Sequence, residues 1–292
     1  LKDAYAEVNG QRLHYVTEGT GPLLLFLHGF PEFWYAWKAQ LAEFGRDHQA
    51  VALDMRGTNL SSKPAEIEQY QMQHRVEDIR ALAAHLGYEK FTLVGHDWGG
   101  AAAWVFAAAY PALVEKLIII NSPHPAIFGR ELNTNPAQQQ ASQYMNFLSS
   151  PQAEQLLAAD NYALLRERFL GEHLWNDIFS EADRQAYLAA WAQPGSLTGG
   201  LNLYRVPRAS QARAEGQTAP GNPPRERRTW IVQVPTLVIW GEQDTALLTG
   251  NLNGLEQFVP NLTIKRIPDG SHWVIHEQPT LVNTYIREFL TA

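Results

Sequence analysis

The 292-residue chain has no cysteine, which excludes disulfides, thiol nucleophiles and thiolate metal sites. No apolar run approaches the ~20 residues that span a bilayer. The first residues, Leu1-Lys2-Asp3-Ala4-Tyr5, lack a signal-peptide pattern, although a chain numbered from Leu1 rather than Met leaves a native leader open. Positive charge is scarce: the net charge is −7 and there is no basic tail, which argues against nucleic acid or an anionic membrane as a partner. There is no internal repeat. What remains is an ordinary globular composition, 45% hydrophobic and 18% charged, long enough for one large domain or two and expected in the cytoplasm.

The chain is organised around Phe91-Thr92-Leu93-Val94-Gly95-His96-Asp97-Trp98-Gly99-Gly100, followed by Ala101-Ala102-Ala103-Trp104. An apolar β run ends at Gly-x-Asp-x-Gly and an alanine-rich helix pattern begins at once, the layout of the nucleophile elbow in α/β-hydrolases. Gly95 and Gly99 suit a sharp bend with chain passing close by, and the turn thrusts Asp97 out of the sheet. An aspartate there decides the chemistry. A carboxylate is ionised at neutral pH, and its attack on an ester would give an anhydride, whereas attack on an sp3 carbon gives an ordinary ester that water can cleave. The electrophile is therefore expected to be an epoxide or an alkyl halide.

Around this stretch, residues 4–8 and 12–17 alternate about Asn9-Gly10, a hairpin signal. Residues 22–28, 50–54, 117–121, 236–240 and 263–267 read as further strands, with helices over 74–86 and 279–290. The alternation predicts a doubly wound, mainly parallel sheet. Residues 126–228 show no strong strand, only helix-like segments such as those over 136–148, 153–158, 162–170 and 180–191, and read as an inserted helical cap. The core is then 1–125 and 229–292. A flexible return linker is expected near 216–224, with Arg225, Arg227 and Arg228 as a solvated continuation.

Asp244 follows the strand ending at Trp240, and His272 follows the strand ending at Ile267. Loops beyond the carboxyl ends of the strands share one rim, so Asp97, Asp244 and His272 can converge there, in the chain order this fold uses. His28, His96, His276 and Glu242 are lesser candidates.

With these pieces, His28-Gly29-Phe30-Pro31, Pro123-His124-Pro125 and Leu201-Asn202-Leu203-Tyr204-Arg205, the chain resembles the epoxide hydrolases of the α/β-hydrolase superfamily nearly end to end. The resemblance implies a mostly parallel eight-stranded sheet flanked by helices, with a helical cap. It makes Asp97 the nucleophile, His272 the water-activating base and Asp244 its orienter, and assigns an oxyanion hole to the backbone N–H groups of Phe30 and Trp98. Opening an epoxide develops an alkoxide, which calls for an O–H donor of intermediate acidity such as tyrosine. The positions resembling the family's two cap tyrosines are Tyr204 and Tyr144. One departure stands out: Asn59 in Asp54-Met55-Arg56-Gly57-Thr58-Asn59-Leu60-Ser61 replaces a usual glycine, and asparagine can keep a positive-φ turn.

No cofactor and no metal are expected. The partners are a small apolar epoxide and water, without nucleic acid or membrane span, and the sequence sets no oligomeric state. The competing reading is a haloalkane or haloacid dehalogenase with the same triad, in which Trp98, helped by Trp175 or Trp191, would hold a halide. Against it, such relatives usually carry asparagine where Phe30 stands or arginine where Trp98 stands. A catalytically silent receptor on the same scaffold would be marked by a broken triad, and all three members are present.

Overall fold

The computed structural model describes residues 1–216 and 230–292, with backbone alone for 208–216. The expected linker beyond Gly216 and the arginines Arg225, Arg227 and Arg228 lie outside the described residues, as does the expected return boundary at 228/229.

The fold is an eight-stranded sheet built from β1 (Lys2–Val8), β2 (Gln11–Glu18), β3 (Leu23–Leu27), β4 (Gln49–Leu53), β5 (Phe91–His96), β6 (Val114–Ile120), β7 (Thr236–Gly241) and β8 (Leu262–Ile267). Their order is β1-β2-β4-β3-β5-β6-β7-β8. β1 and β2 join antiparallel, and the rest of the sheet from β4 to β8 is parallel. The hairpin turns at Asn9 and Gly10, both with positive φ, as a tight two-residue connection requires.

In β3, β5 and β7 every residue is buried, because helices cover both faces of a parallel sheet. Successive side chains feed opposite layers: Leu23, Leu25 and Leu27 join one apolar cluster, Leu24 and Phe26 the other. Strand order reverses at β3, whose neighbours are β4 on one side and β5 on the other. The loops after β3 and β5 therefore meet in the crevice at the carboxyl ends.

The helices before β6 are α1 (Lys38–Phe44), α2 (Met72–His85) and α3 (Asp97–Ala109). Between β6 and β7 the described chain is helical: α4 (Pro125–Thr134), α5 (Pro136–Ala141), α6 (Tyr144–Leu148), α7 (Ala153–Ala163), α8 (Glu181–Trp191) and α9 (Ser196–Gly216). The last two are α10 (Val274–Glu277) and α11 (Pro279–Thr291). Among the described residues no helix is long and apolar enough to cross a membrane.

Two of the segments expected in the insertion take another form, and one helix was not singled out. The helix expected over 136–148 is two helices: Gln143 N bonds to Gln140 O and Met145 N to Ser142 O, and this tighter winding re-aims Tyr144. The segment expected over 162–170 is a π-helical turn over Leu164–Phe169, preceded by positive φ at Asp160, Asn161 and Tyr162, with the Tyr162 ring 5.6 Å from Trp191. The longest helix, α9, was hidden by Gly199-Gly200 and Pro207. A Cβ on Gly199 would overlap the backbone of Gly57, so the glycines that spoil the helix pattern are what let α9 seat on the core. Asn59 keeps its turn at φ 44° while its side chain donates to Asp54 Oδ2 at 2.8 Å.

The hairpin is tied down by His14, fully buried, with Nδ1 2.6 Å from Asp54 and Nε2 3.1 Å from Asp3. Burial alone would lower its pKa, but the hydrogen bonds and charges of Asp54 and Asp3 raise it above 6.5. A raised histidine contributes stability that is fully present below the unfolded pKa of ~6.5 and lost as pH climbs through the folded value. The destabilisation caused by His14→Gln, read from urea midpoints, should be largest below the unfolded pKa of ~6.5 and shrink as pH rises above it. A pH-independent difference would contradict this coupling.

Candidate active site

Asp97 sits where β5 turns into α3, at φ 50°, a left-handed conformation that non-glycine residues rarely adopt. The turn is held by absence of side chains around it. A Cβ on Gly95 would lie 2.6 Å from Gly99 O, and one on Gly99 would run into the backbone carbonyls of Leu27 and His28. Ser122 Oγ donates to Asp97 O at 2.7 Å and closes the turn from β6.

The carboxylate is met from three loops. Phe30 N, beyond β3, donates to Asp97 Oδ1 at 2.9 Å. His272 Nε2, beyond β8, stands 3.7 Å from Asp97 Oδ2. Trp98 is in the first turn of α3, where backbone N–H groups have no helical acceptor. His272 Nδ1 lies 2.7 Å from Asp244 Oδ2, beyond β7. Asp244 also accepts from Ala246 N and Leu247 N on Oδ1, both at 2.8 Å, and from Asn121 Nδ2 on Oδ2 at 2.9 Å. Asn121, at φ 39° past the end of β6, reaches β7 as well by accepting from Gly241 N.

Electrostatics follow from this geometry. Burial would lower the His272 pKa, yet the charge and hydrogen bond of Asp244, then the charge of Asp97, push it up to about 9. Burial would raise Asp244, but His272 and the N–H donors hold it below its ordinary value. Tyr144 and Tyr204 face Asp97 across a cavity of about 320 Å³, lined also by Trp98, Phe128, Met145 and Leu247. Both phenols are pushed above their ordinary pKa, first by burial; Asp97 adds to this directly, as does each phenol's other acidic neighbour. Their rings are 6.2 Å apart, and Tyr204 packs edge-on to Trp98 at 5.2 Å.

All seven expected site residues therefore meet in one place. The lesser candidates sort differently. Glu242 is on the surface rim in an ion pair with Arg266 at 2.8 Å. His28 is a brace: Nδ1 donates to Gly29 O and Nε2 accepts from Met55 N. Trp191 donates its indole N–H to Pro31 O and stacks on Trp175, and neither tryptophan lines the cavity.

His96 and His276 belong to a buried cluster that the sequence did not reveal. Glu32, fully enclosed, accepts from Tyr187 at 3.0 Å and lies 3.1 Å from His96 Nδ1 and 2.5 Å from His276 Nε2. Burial would raise Glu32, but the two histidines hold it far below the carboxylate range. His96 Nε2 in turn donates to the backbone carbonyl of His272 at 2.8 Å. The one available signal was Glu32 directly after His28-Gly29-Phe30-Pro31. Arg75 was also missed: buried on α2, it donates to Trp98 O at 3.0 Å, and burial lowers its pKa to about 10 against the pull of Asp97 and Asp78.

Sheet order, elbow and rim together define an α/β-hydrolase whose elbow holds a carboxylate. A family model for the alpha/beta hydrolase fold matches residues 22–279. Epoxide hydrolase 1 of Caenorhabditis elegans is 37% identical over 98% of this chain and 69% of its own length. Epoxide hydrolase 4 of Mus musculus is 36% identical, covering 97% and 77%. The crystal structure of a variant epoxide hydrolase from Bacillus megaterium, complexed with its product, a naphthyloxy-propane-1,2-diol, matches with a TM-score of 0.90 at 39% identity, over 99% of this chain and 100% of that one. The chain belongs to the epoxide hydrolases, hydrolases acting on ether bonds, within the α/β-hydrolase fold family.

Because two carboxylates hold His272 protonated, removing one should release it. In Asp97→Asn the His272 titration midpoint, followed by the NMR shift of its ring protons, should fall below the value of about 9 set by the intact pair. An unchanged midpoint would mean that the two side chains are not coupled.

Proposed function

We propose that this enzyme converts a small apolar epoxide to a vicinal diol through a covalent ester on Asp97. The observation that carries the reading is a carboxylate at the elbow, facing two phenols across one cavity and a histidine at 3.7 Å. Asp97 attacks a ring carbon, one C–O bond of the epoxide breaks, and Tyr204 and Tyr144 hydrogen-bond the departing oxygen and protonate it. Water then loses a proton to His272 and attacks the ester carbonyl. The backbone N–H groups of Phe30 and Trp98 stabilise the resulting oxyanion, Asp244 orients His272 and stabilises its imidazolium, and collapse releases the diol and regenerates Asp97.

Charge explains how one site can run both steps. Esterification neutralises Asp97, and with it one of the two carboxylates that keep His272 protonated near pH 9. The proton of His272 passes to the phenolate left by ring opening, which restores the tyrosine and leaves the histidine a base when a base is needed. The same neutralisation lowers the burden on both tyrosines, whose acidity Asp97 opposes in the free enzyme.

A roughly 320 Å³ cavity has about twice the ~150 Å³ that encloses benzene, and its walls include Phe128, Met145 and Leu132. The aryl diol held by the Bacillus megaterium relative suggests a terminal epoxide bearing an aryl group as the first substrate to assay. Residues 126–228 act in this reading as the cap that supplies the phenols, on a core of 1–125 and 229–292. The cysteine-free composition favours a cytoplasmic setting.

Two outcomes are expected. His272→Gln mixed with such an epoxide should gain one substrate mass on a peptide containing Asp97, and a single wild-type turnover in heavy-oxygen water should give diol carrying oxygen from the Asp97 carboxylate. Diol fully labelled from solvent in that turnover would mean direct water attack. For Tyr204→Phe, by analogy with loss of one oxyanion donor, alkylation in rapid mixing should slow about 10²-fold, with binding little changed because the ring remains. Unimpaired alkylation in the Tyr204→Phe, Tyr144→Phe double variant, alongside bromide release from a bromoalkane, would favour halide chemistry instead.

A further inference from the structure

Gln138, on α5, is fully buried and makes every hydrogen bond its amide can make. Nε2 donates to Ala246 O at 2.7 Å and to Ser142 Oγ at 2.9 Å. Oε1 accepts from Leu248 N at 3.0 Å and from Asn251 Nδ2 at 2.8 Å. The orientation of the amide is fixed by its partners: a backbone carbonyl demands the NH₂ end and a backbone N–H demands the oxygen. Gln138 thus grips both sides of Leu247 in the loop that carries Asp244.

That loop has one task visible in its own bonds. Ala246 N and Leu247 N both donate to Asp244 Oδ1, which leaves Oδ2 aimed at His272 Nδ1. The Ala246 O that Gln138 holds shares its peptide plane with Leu247 N, and Leu248 N, held on the next plane, fixes the residue between them, so the clamp sets where the Leu247 N–H points and with it the direction of the carboxylate. Leu247 also lines the cavity, so the same clamp touches the substrate wall. The helix carrying Gln138 comes from the insertion between β6 and β7, whereas the loop comes from the sheet.

We propose that Gln138 is a positioning residue for the His272–Asp244 pair, tying the acid loop to the insertion and thereby holding Asp244 Oδ2 on His272 Nδ1. This rests on the two-step reading above for its kinetic consequence, though not for its effect on His272 itself. Removing the clamp lets the loop relax and lengthens the Asp244–His272 hydrogen bond. Hydrolysis of the ester should suffer, while its formation, which uses Asp97 and the phenols, should not.

The test compares wild type, Gln138→Met, which keeps the volume and loses all four bonds, Gln138→Asn, which keeps an amide too short to reach both sides, and the exposed neighbour Gln139→Leu as control. In the free enzymes the His272 titration midpoint, read by NMR, should fall by about 1 pH unit in Gln138→Met, the low end of what a neighbouring opposite charge contributes. It should fall less in Gln138→Asn and not in Gln139→Leu. In rapid-quench experiments with an aryl glycidyl ether, hydrolysis of the ester should slow at least tenfold more than alkylation, and its half-maximal rate should move to lower pH. Unchanged midpoints in both Gln138 variants, or both steps slowed equally with an unshifted pH profile, would overturn the proposal and leave a purely structural glutamine. If wild type forms no ester, the covalent reading fails by itself, and the midpoints still decide the role of Gln138.

Discussion

The negative charge of Asp97, held in a partly enclosed elbow, is the interaction on which the rest of the site depends. It helps keep His272 protonated, opposes ionisation of Tyr144 and Tyr204, and supports the charge of buried Arg75. Four groups from β8's following loop, the insertion and α2 thus read the state of one carboxylate. Such coupling is strong only where water is scarce, which the apolar cavity wall and the aromatic cluster around Phe30, Phe33, Trp175 and Trp191 provide.

Holding that carboxylate in place is a matter of backbone packing. Asp97 adopts positive φ, a conformation that costs energy, and the surrounding chain over-determines it. Glycines at 95 and 99 let α3 pass directly against β5 and the end of β3, and Ser122 pins the turn from β6. Because strand order reverses at β3, the loop bearing Phe30 arrives beside the elbow and its N–H finds Asp97 Oδ1. The same topology brings the loops after β7 and β8 to one rim.

Buried polar chains then connect this rim to the rest of the molecule. Glu32 gathers His96, His276 and Tyr187 of α8, and His96 supports the carbonyl of His272 from below. Gln138 does the equivalent for the Asp244 loop from α5. Both clusters bridge sheet and insertion. Apolar packing alone would bury the surface, but would leave the loops free to slide, whereas hydrogen bonds of fixed direction set their register.

How much of this was legible depends on how local the cause is. The sequence by itself determined the buried strands, through continuous apolar runs; the elbow, through Gly95, Asp97 and Gly99; and the meeting of Asp97, Asp244 and His272, because Asp244 and His272 follow strands whose ends must share a rim. Asn59 was legible too, since its tolerance of positive φ is a property of the residue. The tertiary structure decided what depends on distant partners. Helix α9 was masked because Gly199 answers to Gly57 rather than to its own helix. The break between α5 and α6 lies in the three-residue bonds at Gln143 and Met145, which no residue pattern announced. Arg75 and Gln138 carry no periodic or motif signal, and Glu32 has only its place after His28-Gly29-Phe30-Pro31; the roles of all three exist only once the fold brings Trp98, Ala246 and His96 within hydrogen-bond reach. Local pattern encodes backbone shape and the ends of strands. Which buried polar atoms meet across sequence separations of 23 to 244 residues is fixed only when the layers close, because a hydrogen bond of 3 Å has no counterpart in sequence spacing.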